Sequence, residues 1–518
     1  MSARPWVSFR PAPAVAGRDA NSEHAMRPSP THPRIRRSLL CAVALAAVVG
    51  CGKNKAGSKA PGAAVDLEAK AAEAKKAARV GSLVELANQD LQNGRYVSAA
   101  KRAEEALAEN PQSADAYAVL GAARWRAGDF AGSTEAFEKA LEFDATNFGA
   151  IVGLGRNLQA AGKLEEAIEV QDRLLAKEKD QVDPMLRKLR SLYALVRPDE
   201  AIPLLDNIFK FLPADDPELP VVQAYAAFLR ALEGKGKMLE RTGEKGTTDA
   251  GIDARLGLKH GLAVVGGEPV RAVFLELREE AIVDPGLVKK LGLEKLGEVA
   301  MAGTDEKRDL VLLPKVAIGK VELANVPALV QPLGDYEPLL GEIPIILGRQ
   351  AMHALGRITF DFRGRSLTVE PSSDAAPEGA SEVPLLMLDM KVALAPAVPI
   401  SIDGSDHRFF VYFGGVYQGT AAISKKHYLK SGHLPREIDD PEDPEAGLKM
   451  VYLDKVRVGD LELAGGGGLV LVNEPPDAML GQVLGLAGFE LGGYLNYAVL
   501  NDLRVTYDLP AGKAFVAR

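Results

Sequence analysis

Acid–base chemistry in this chain would have to come from carboxylates. The strand-like run Val270 to Leu277 carries Glu276, and Glu279 follows closely. Two carboxylates brought face to face share a proton, so that one acts as base and the other as acid. Other chemistry is thinner. His260, His353, His407, His427 and His433 show no paired metal-ligand spacing. His427 and His433 precede Asp439-Asp440 and Glu442-Asp443, an acidic run that Pro441 and Pro444 break into an exposed turn rather than a cation site. Gly465–Gly468 lacks the Lys-Ser/Thr and the following helix of a phosphate loop, and reads as a hairpin tip or flexible loop. There is no Gly-x-Ser-x-Gly and no His-Glu-x-x-His. Cys41 and Cys51 both lie in the first tenth of the chain, which leaves the folded body without a disulfide framework or a cysteine metal site. No cofactor and no metal are expected.

Composition narrows the classes further. The 518 residues carry 62 Lys+Arg against 70 Asp+Glu, a net charge of −8, and 47% are hydrophobic. That is enough apolar material for packed cores, and the length suggests about three domains. There is no basic stripe to neutralise phosphates, so nucleic acid is not an expected partner. A multi-span membrane protein and collagen are excluded.

The positioning elements begin with a repeat. Gly94, Gly128 and Gly162 stand 34 residues apart, as do Tyr96, Phe130 and Leu164, and Leu86, Leu120 and Leu154. This period marks a solenoid of helical hairpins. In each unit a glycine ends the first helix, and small residues (Ala87, Gly121, Gly155) let paired helices approach. Units are placed at 80–113, 114–147 and 148–181. A fourth at 182–215 has Val196 where the turn glycine should be, and Pro203 should kink its second helix. Residues 221–233 would cap the stack. These residues resemble the tetratricopeptide repeat (TPR) family. In that family the first helices line a concave groove that binds peptides or protein surfaces. On this chain the resemblance places Asn88, Trp125, Arg126, Arg156 and Gln159 in the groove. Trp125 beside Arg126 is either an exposed hot spot or packing between units.

After a Gly/Lys/Thr-rich stretch at 234–250, read as a linker, the pattern turns to short Val/Ile/Leu/Phe runs separated by Gly, Pro and Asp. This half is duplicated. Lys315–Leu323 matches Lys455–Leu463, Ile346-Leu347-Gly348 matches Val483-Leu484-Gly485, and Thr359–Phe362 matches Thr506–Leu509. The units span 251–371 and 383–518, with 372–382 between them as a second linker. The element order in the first unit is a hairpin, a short helix from Pro285, a Gly-centred hairpin, Ile346-Leu347-Gly348 with a helix to Leu355, and a closing strand pair. It resembles the retropepsin-like aspartic proteases. In that family each lobe supplies one Asp after its first hairpin. Here Leu275 and Tyr412 stand at those positions, although Gly414 keeps the turn glycine. Neither residue activates water as a carboxylate does. Glu276, one residue away, is the fallback carboxylate, but strand alternation turns it to the opposite face. Asp361 and Asp508 fall where the family uses Asp structurally.

The chain starts with an address. Arg34-Ile35-Arg36-Arg37 precedes a 13-residue apolar run ending at Val48-Val49-Gly50-Cys51. A basic segment, a short apolar core and a small residue describe a secretory signal, too short to span a bilayer. Val-Val-Gly before Cys resembles the lipobox of bacterial lipoproteins, which implies lipidation of Cys51; a plain signal peptide is the alternative. Met26 would give a signal of ordinary length. Residues 1–50 then form leader and signal, and 51–79 a tether.

The expectation is a multidomain α + β chain: a TPR solenoid over 80–233, then two retropepsin-like, mainly-β lobes that pair within the chain or dimerise. It would be a lipid-anchored protein of the cell envelope, at the outer membrane or periplasmic face. It would bind protein or peptide and be catalytically degenerate. The rival reading is an active aspartic endopeptidase with displaced carboxylates.

Overall fold

The computed structural model describes residues 62–253, 258–301, 306–334, 341–389, 394–406, 408–415, 420–432, 448–471, 492–496 and 503–518. The signal segment, Cys41, Cys51, His407, His433, the acidic run 439–443 and Val483–Gly485 lie outside the described residues.

Nine helices open the described chain: α1 (Gly62–Gln92), α2 (Tyr96–Glu109), α3 (Ala114–Arg126), α4 (Phe130–Phe143), α5 (Phe148–Ala160), α6 (Leu164–Leu175), α7 (Val182–Ala194), α8 (Pro198–Phe211) and α9 (Leu219–Ala231). The 34-residue period is the hairpin period. Gly94, Gly128 and Gly162 turn with φ of 71°, 83° and 75°. Val196 takes the same left-handed conformation at φ 51°, so the fourth unit keeps its turn without its glycine. Pro203 does not end α8, which runs on to Phe211. Ser113, Asp129 and Asn147 cap α3, α4 and α5 by accepting from Ala116, Gly132 and Ala150 N–H groups. Phe137 of α4 fills the space between α3 and α5. A Cβ at Gly121 or Gly153 would come within 2.8 or 2.1 Å of its ring, so both positions need glycine. Residues 69–79 of α1 are exposed, and Val80 is the first buried side chain.

The stretch read as a linker is not one. It holds β1 (Glu240–Thr242) and the start of β2 (Gly246–Asp253). Two of its glycines allow backbone approach: a Cβ on Gly243 would lie 2.3 Å from the Lys320 carbonyl oxygen and one on Gly246 1.9 Å from that of Ile318. β1 pairs with β8 (Val321–Val330), while β2 pairs with β3 (Leu258–Val265) and β11 (Ser366–Glu370).

The first lobe continues through β4 (Glu268–Phe274), β5 (Ala281–Val283), α10 (Pro285–Leu291), β6 (Gly297–Ala300), β7 (Lys307–Ile318), β9 (Ile345–Leu347), α11 (Arg349–Leu355) and β10 (Arg357–Asp361). The second comprises β12 (Ser381–Pro384), β13 (Leu386–Asp389), β14 (Leu394–Ile402), β15 (Phe409–Gly415), β16 (Ala421–Ser424), α12 (Lys425–Lys430), β17 (Leu448–Val458), β18 (Leu461–Leu471), β19 (Gly493–Asn496), β20 (Arg504–Asp508) and β21 (Lys513–Ala517). β12 thus begins inside the second stretch read as a linker.

The duplication is a duplication of topology. In lobe 1, β9 runs parallel to β4 and antiparallel to β5, and β5 is parallel to β8. In lobe 2, β19 runs parallel to β15 and antiparallel to β16, and β16 is parallel to β18. The hairpins β7–β8 and β17–β18 turn at Gly319 (φ 56°) and Gly459 (φ 60°). Two expectations need correction. The counterpart of β9 is β19, beyond Val483–Gly485 in sequence. Gly465–Gly468 is not a loop but part of β18, where Gly466 and Gly468 pair with Leu453 and Val451. A Cβ on Gly468 would meet the Leu453 side chain at 2.7 Å.

The lobes pair within the chain through their closing strands. β10 and β20 are antiparallel, Thr359 opposite Thr506, and β12-β21-β20-β10-β11-β2 form a continuous run of strands. One buried apolar cluster extends from Ile168, Leu192 and Phe228 in the helices to Phe274, Val411 and Tyr507 in the lobes. The C-terminal half of the solenoid therefore shares its core with the β module.

Two equivalent turn glycines test this. Gly128 has open space around it, so Gly128→Ala should cost about 1–2 kcal/mol for the left-handed backbone alone. A Cβ on Gly162 would lie 2.0 Å from the Leu509 carbonyl oxygen of the lobes. Gly162→Ala should cost roughly twice as much or more in denaturant unfolding. Equal costs would argue against the packed junction.

Candidate functional site

Two places carry the residues singled out from sequence. The first is the solenoid face formed by the first helices of successive units, α3, α5 and α7, which pack side by side. Asn88 on α1 and Arg126 at the end of α3 are exposed, while Arg156 and Gln159 on α5 are half-buried. Trp125 is not an exposed hot spot: only 3% of it is accessible. Phe130 packs on it edge-to-face with centroids 4.7 Å apart, and the Arg156 guanidinium carbon lies 4.3 Å from the ring centroid. Gln159 holds the stack together, its Nε2 donating to the Arg187 carbonyl at 2.6 Å and to Ser191 Oγ at 2.8 Å. Sequence reasoning did not single out Arg187 on α7, whose Nε meets Asp183 Oδ2 at 3.1 Å. The signal was available, since α7 is the first helix of the fourth unit.

The second place is the segment after β4. Leu275, at the expected carboxylate position, is partly buried and packs against the core, and its N–H donates to the Leu347 carbonyl at 3.0 Å. Leu275 to Glu280 is bound closely to β9 and α11. Arg349 N donates to Arg278 O at 2.7 Å, and Gln350 N to Glu279 O at 2.9 Å. A Cβ at Gly348 would sit 2.2 Å from the Glu280 carbonyl oxygen, so only glycine fits. Glu276 points into the lobe with 2% exposure and meets Lys259 of β3, itself 1% exposed. Lys259 Nζ is 2.7 Å from Glu276 Oε1 and 3.0 Å from Oε2. The same ammonium lies 5.2 Å from the ring centroid of Tyr507, on β20 of the other lobe. Lys259 was missed because a lysine next to His260 in an alternating strand reads as solvent-facing; only the tertiary fold turns it inward. Tyr412 lies in β15 opposite Tyr494 of β19, and the register shifts between Phe413 and Gly415. Gly414 thus sits at a strand irregularity.

The remaining carboxylates after β4 are also committed. Glu279 is ion-paired with buried Arg349. Glu280 accepts from the Tyr193 hydroxyl of α7. Burial first, and the Glu280 charge second, push the Tyr193 phenol well above its usual range, so it remains the donor. Gln350 Nε2 donates to the Tyr193 carbonyl at 2.8 Å. His353 Nε2 lies 3.3 Å from the Gly162 carbonyl. Burial, the largest influence, lowers the His353 pKa and favours the neutral ring; a carbonyl only accepts, so Nε2 carries the proton. Asp361 and Asp508 work structurally: Asp361 accepts from Gly364 N at 2.6 Å, and Asp508 holds Arg357 across the lobe junction at 3.0 Å. Among the described residues no cluster of three or more His, Cys, Asp or Glu is placed to hold a metal.

Comparison with known families decides the helical half. Two tetratricopeptide repeat models match, one over residues 84–148 and one over 124–193. The solenoid is built of tetratricopeptide repeats. Similar solved structures include a thermophilic TPR protein of Thermus thermophilus, at 21% identity, covering 30% of this chain and 84% of that one with a TM-score of 0.25. Pseudomonas aeruginosa pilF gives 20% identity, 31% and 72% coverage, and a TM-score of 0.28. A TPR protein of Parabacteroides merdae gives 17%, 29% and 60%, and 0.27. No curated protein matches the chain. TPR repeats are units of protein- and peptide-binding scaffolds, and the β-rich half follows them in the same chain.

The buried pair after β4 yields a prediction. Lys259→Met leaves a buried carboxylate unpaired and should cost about 3–5 kcal/mol, whereas adding Glu276→Leu should recover most of that loss. Denaturant unfolding of the two variants measures it; a double variant no better than the single one would show that the pair itself is not the issue.

Proposed function

We propose that this chain is a lipid-anchored envelope protein that binds protein or peptide through its TPR solenoid. Its two β lobes are an aspartic protease-like module without the catalytic dyad. The carrying observation for the first part is the repeat itself, matched over 84–193 and folded as stacked helical hairpins. Support for the second comes from two lobes of one topology paired about Thr359 and Thr506, with Leu275 and Tyr412 where a retropepsin-like lobe carries Asp.

The displaced-carboxylate rival is disfavoured by Glu276. A shared-proton dyad needs two carboxylates that reach each other and a substrate. Glu276 is inside the lobe with both oxygens against an ammonium, an arrangement that offers no face to water or substrate. The lobes serve instead as a rigid platform on which the last solenoid units are fixed. Cys51 after Val48-Val49-Gly50 supplies the anchor, and the exposed first part of α1 leads from it to the repeats.

Incubated with a diverse peptide library from pH 3 to 7, with and without pepstatin, the protein should retain peptides and cleave none. Pepstatin-sensitive cleavage would sink the pseudoenzyme reading. Radiolabelled palmitate should enter the wild type expressed in a Gram-negative host and be absent from Cys51→Ser; equal labelling of both would remove the anchor.

A further inference from the structure

We infer that the cavity between the fourth repeat and the first lobe binds a primary ammonium group, carried by a small free amine or by a lysine side chain.

The cavity has a volume of about 520 Å³ and lies where α7 gives way to α8, against α11 and the segment before β1. None of the five groove residues lines it, nor does Leu275 or Tyr412. Its size is that of a small-molecule site, and such sites favour junctions of this kind. Part of its wall is apolar: Val196, Met238 and Leu239 are buried. Val196 and Leu239 hold left-handed backbone, with φ of 51° and 54°. That conformation is unusual for a β-branched or bulky residue and persists where the surroundings fix it, so the wall is built in one shape.

Two polar side chains of α11 complete the wall, Gln350 and His353. Their donors are used and their acceptors are not. Gln350, 3% exposed, gives its Nε2 to the Tyr193 carbonyl at 2.8 Å. Its Oε1 is shielded from water and has no hydrogen-bond partner among the described residues. His353 gives Nε2 to the Gly162 carbonyl at 3.3 Å, which leaves Nδ1 as an acceptor with no partner among the described residues. A carboxylate or a phosphate therefore finds no free donor on these two side chains, whereas an N–H donor finds two acceptors.

Charge points the same way. Glu165, Asp199 and Glu200 stand at the exposed rim with Arg197 and Lys237. Arg197 is already held by Glu165 at 2.9 Å and by Glu200 at 3.7 Å, and Lys237 turns to Glu240 at 3.8 Å. Asp199 has no ion pair among the described residues. Among the charges that act on His353, that of Glu165 is the largest, and burial favours the neutral ring, which does not repel a cation. A buried amide oxygen without a donor is destabilising, and an ammonium brings three donors. Its alkyl stem suits the apolar wall, and the rim acids balance its charge. A neutral isostere brings no donor, and a carboxylate meets acceptors and acids.

The test titrates the full chain with four probes: putrescine, N-acetyl-lysine methylamide, its norleucine analogue and its glutamate analogue. Calorimetry reads affinity. Ring-nitrogen NMR shifts of isotope-labelled histidines read the site, with the His353 signals identified by their loss in His353→Gln. At least one ammonium probe should bind about tenfold or more tighter than the norleucine and glutamate analogues and move the His353 Nδ1 signal. Which of the two does so identifies the source of the ammonium, a free amine or a lysine side chain. Gln350→Met should erase the preference. Asp199→Lys, at an exposed position, should weaken ammonium binding about threefold or more. Circular dichroism checks that both variants fold; if Gln350→Met does not, Asp199→Lys and the four probes on wild type decide. Equal affinity for all probes, tighter binding of the glutamate analogue, ammonium binding indifferent to either folded variant, an unmoved His353 signal, or no binding by any probe overturns the inference.

Discussion

The β half depends on one antiparallel pairing. β10 and β20 meet so that residues 147 apart in sequence, Thr359 and Thr506, stand opposite each other, with hydroxyls 2.9 Å apart. Everything else in the module follows outward from this point in near-symmetric fashion. β11 and β21 flank the pair, and β2 and β12 lie beyond them. The symmetry is broken at its ends. Arg357 and Asp508 form a buried ion pair, with the Ser372 hydroxyl donating to Asp508 at 2.6 Å. At the other end Asp361 turns to Gly364 N, and Arg504 donates to the Glu378 carbonyl. Chemistry that requires two lobes to contribute equivalent groups needs this pairing.

The helical half was legible because its period is written in residue types that the backbone demands. A left-handed turn every 34 residues calls for glycine, and close helix approach calls for small side chains; Gly121 and Gly155 satisfy the second need. Even the unit with Val196 could be placed, because its helices kept their register relative to the others. The β half was legible as an order of elements, since the duplication repeats whole hairpins. What escaped was glycine doing a different job. Between 234 and 250 and again at 465–468, glycine-rich sequence reads as flexible chain, but Gly243 and Gly246 lie against another backbone and Gly468 against a leucine, where a side chain would not fit.

The candidate sites were legible by residue and not by environment. The five groove residues belong to first helices, as read, yet Trp125 is inside and Gln159 is an internal tie. Glu276 lies in the turn after β4, so the strand alternation expected to turn it away does not apply there, and its partner Lys259 could not be found from spacing. The two meet only because β3 and β4 pair with Lys259 opposite Phe274, two residues before Glu276. Buried charge is the least readable property of a sequence: its stability depends on a partner chosen by the fold.

The solenoid is not uniformly attached. Its later units share apolar core with the lobes, whereas the side chains of α1 to α4 pack in smaller clusters confined to the helices. Stacked repeats hold one another through nearest-neighbour interfaces alone. Stiffness therefore grades along the chain, from a compliant arm at α1 and α2 to a clamped base at α7 to α9. A pull delivered through α1 would peel repeats one at a time from that end before it reached the core shared with the lobes.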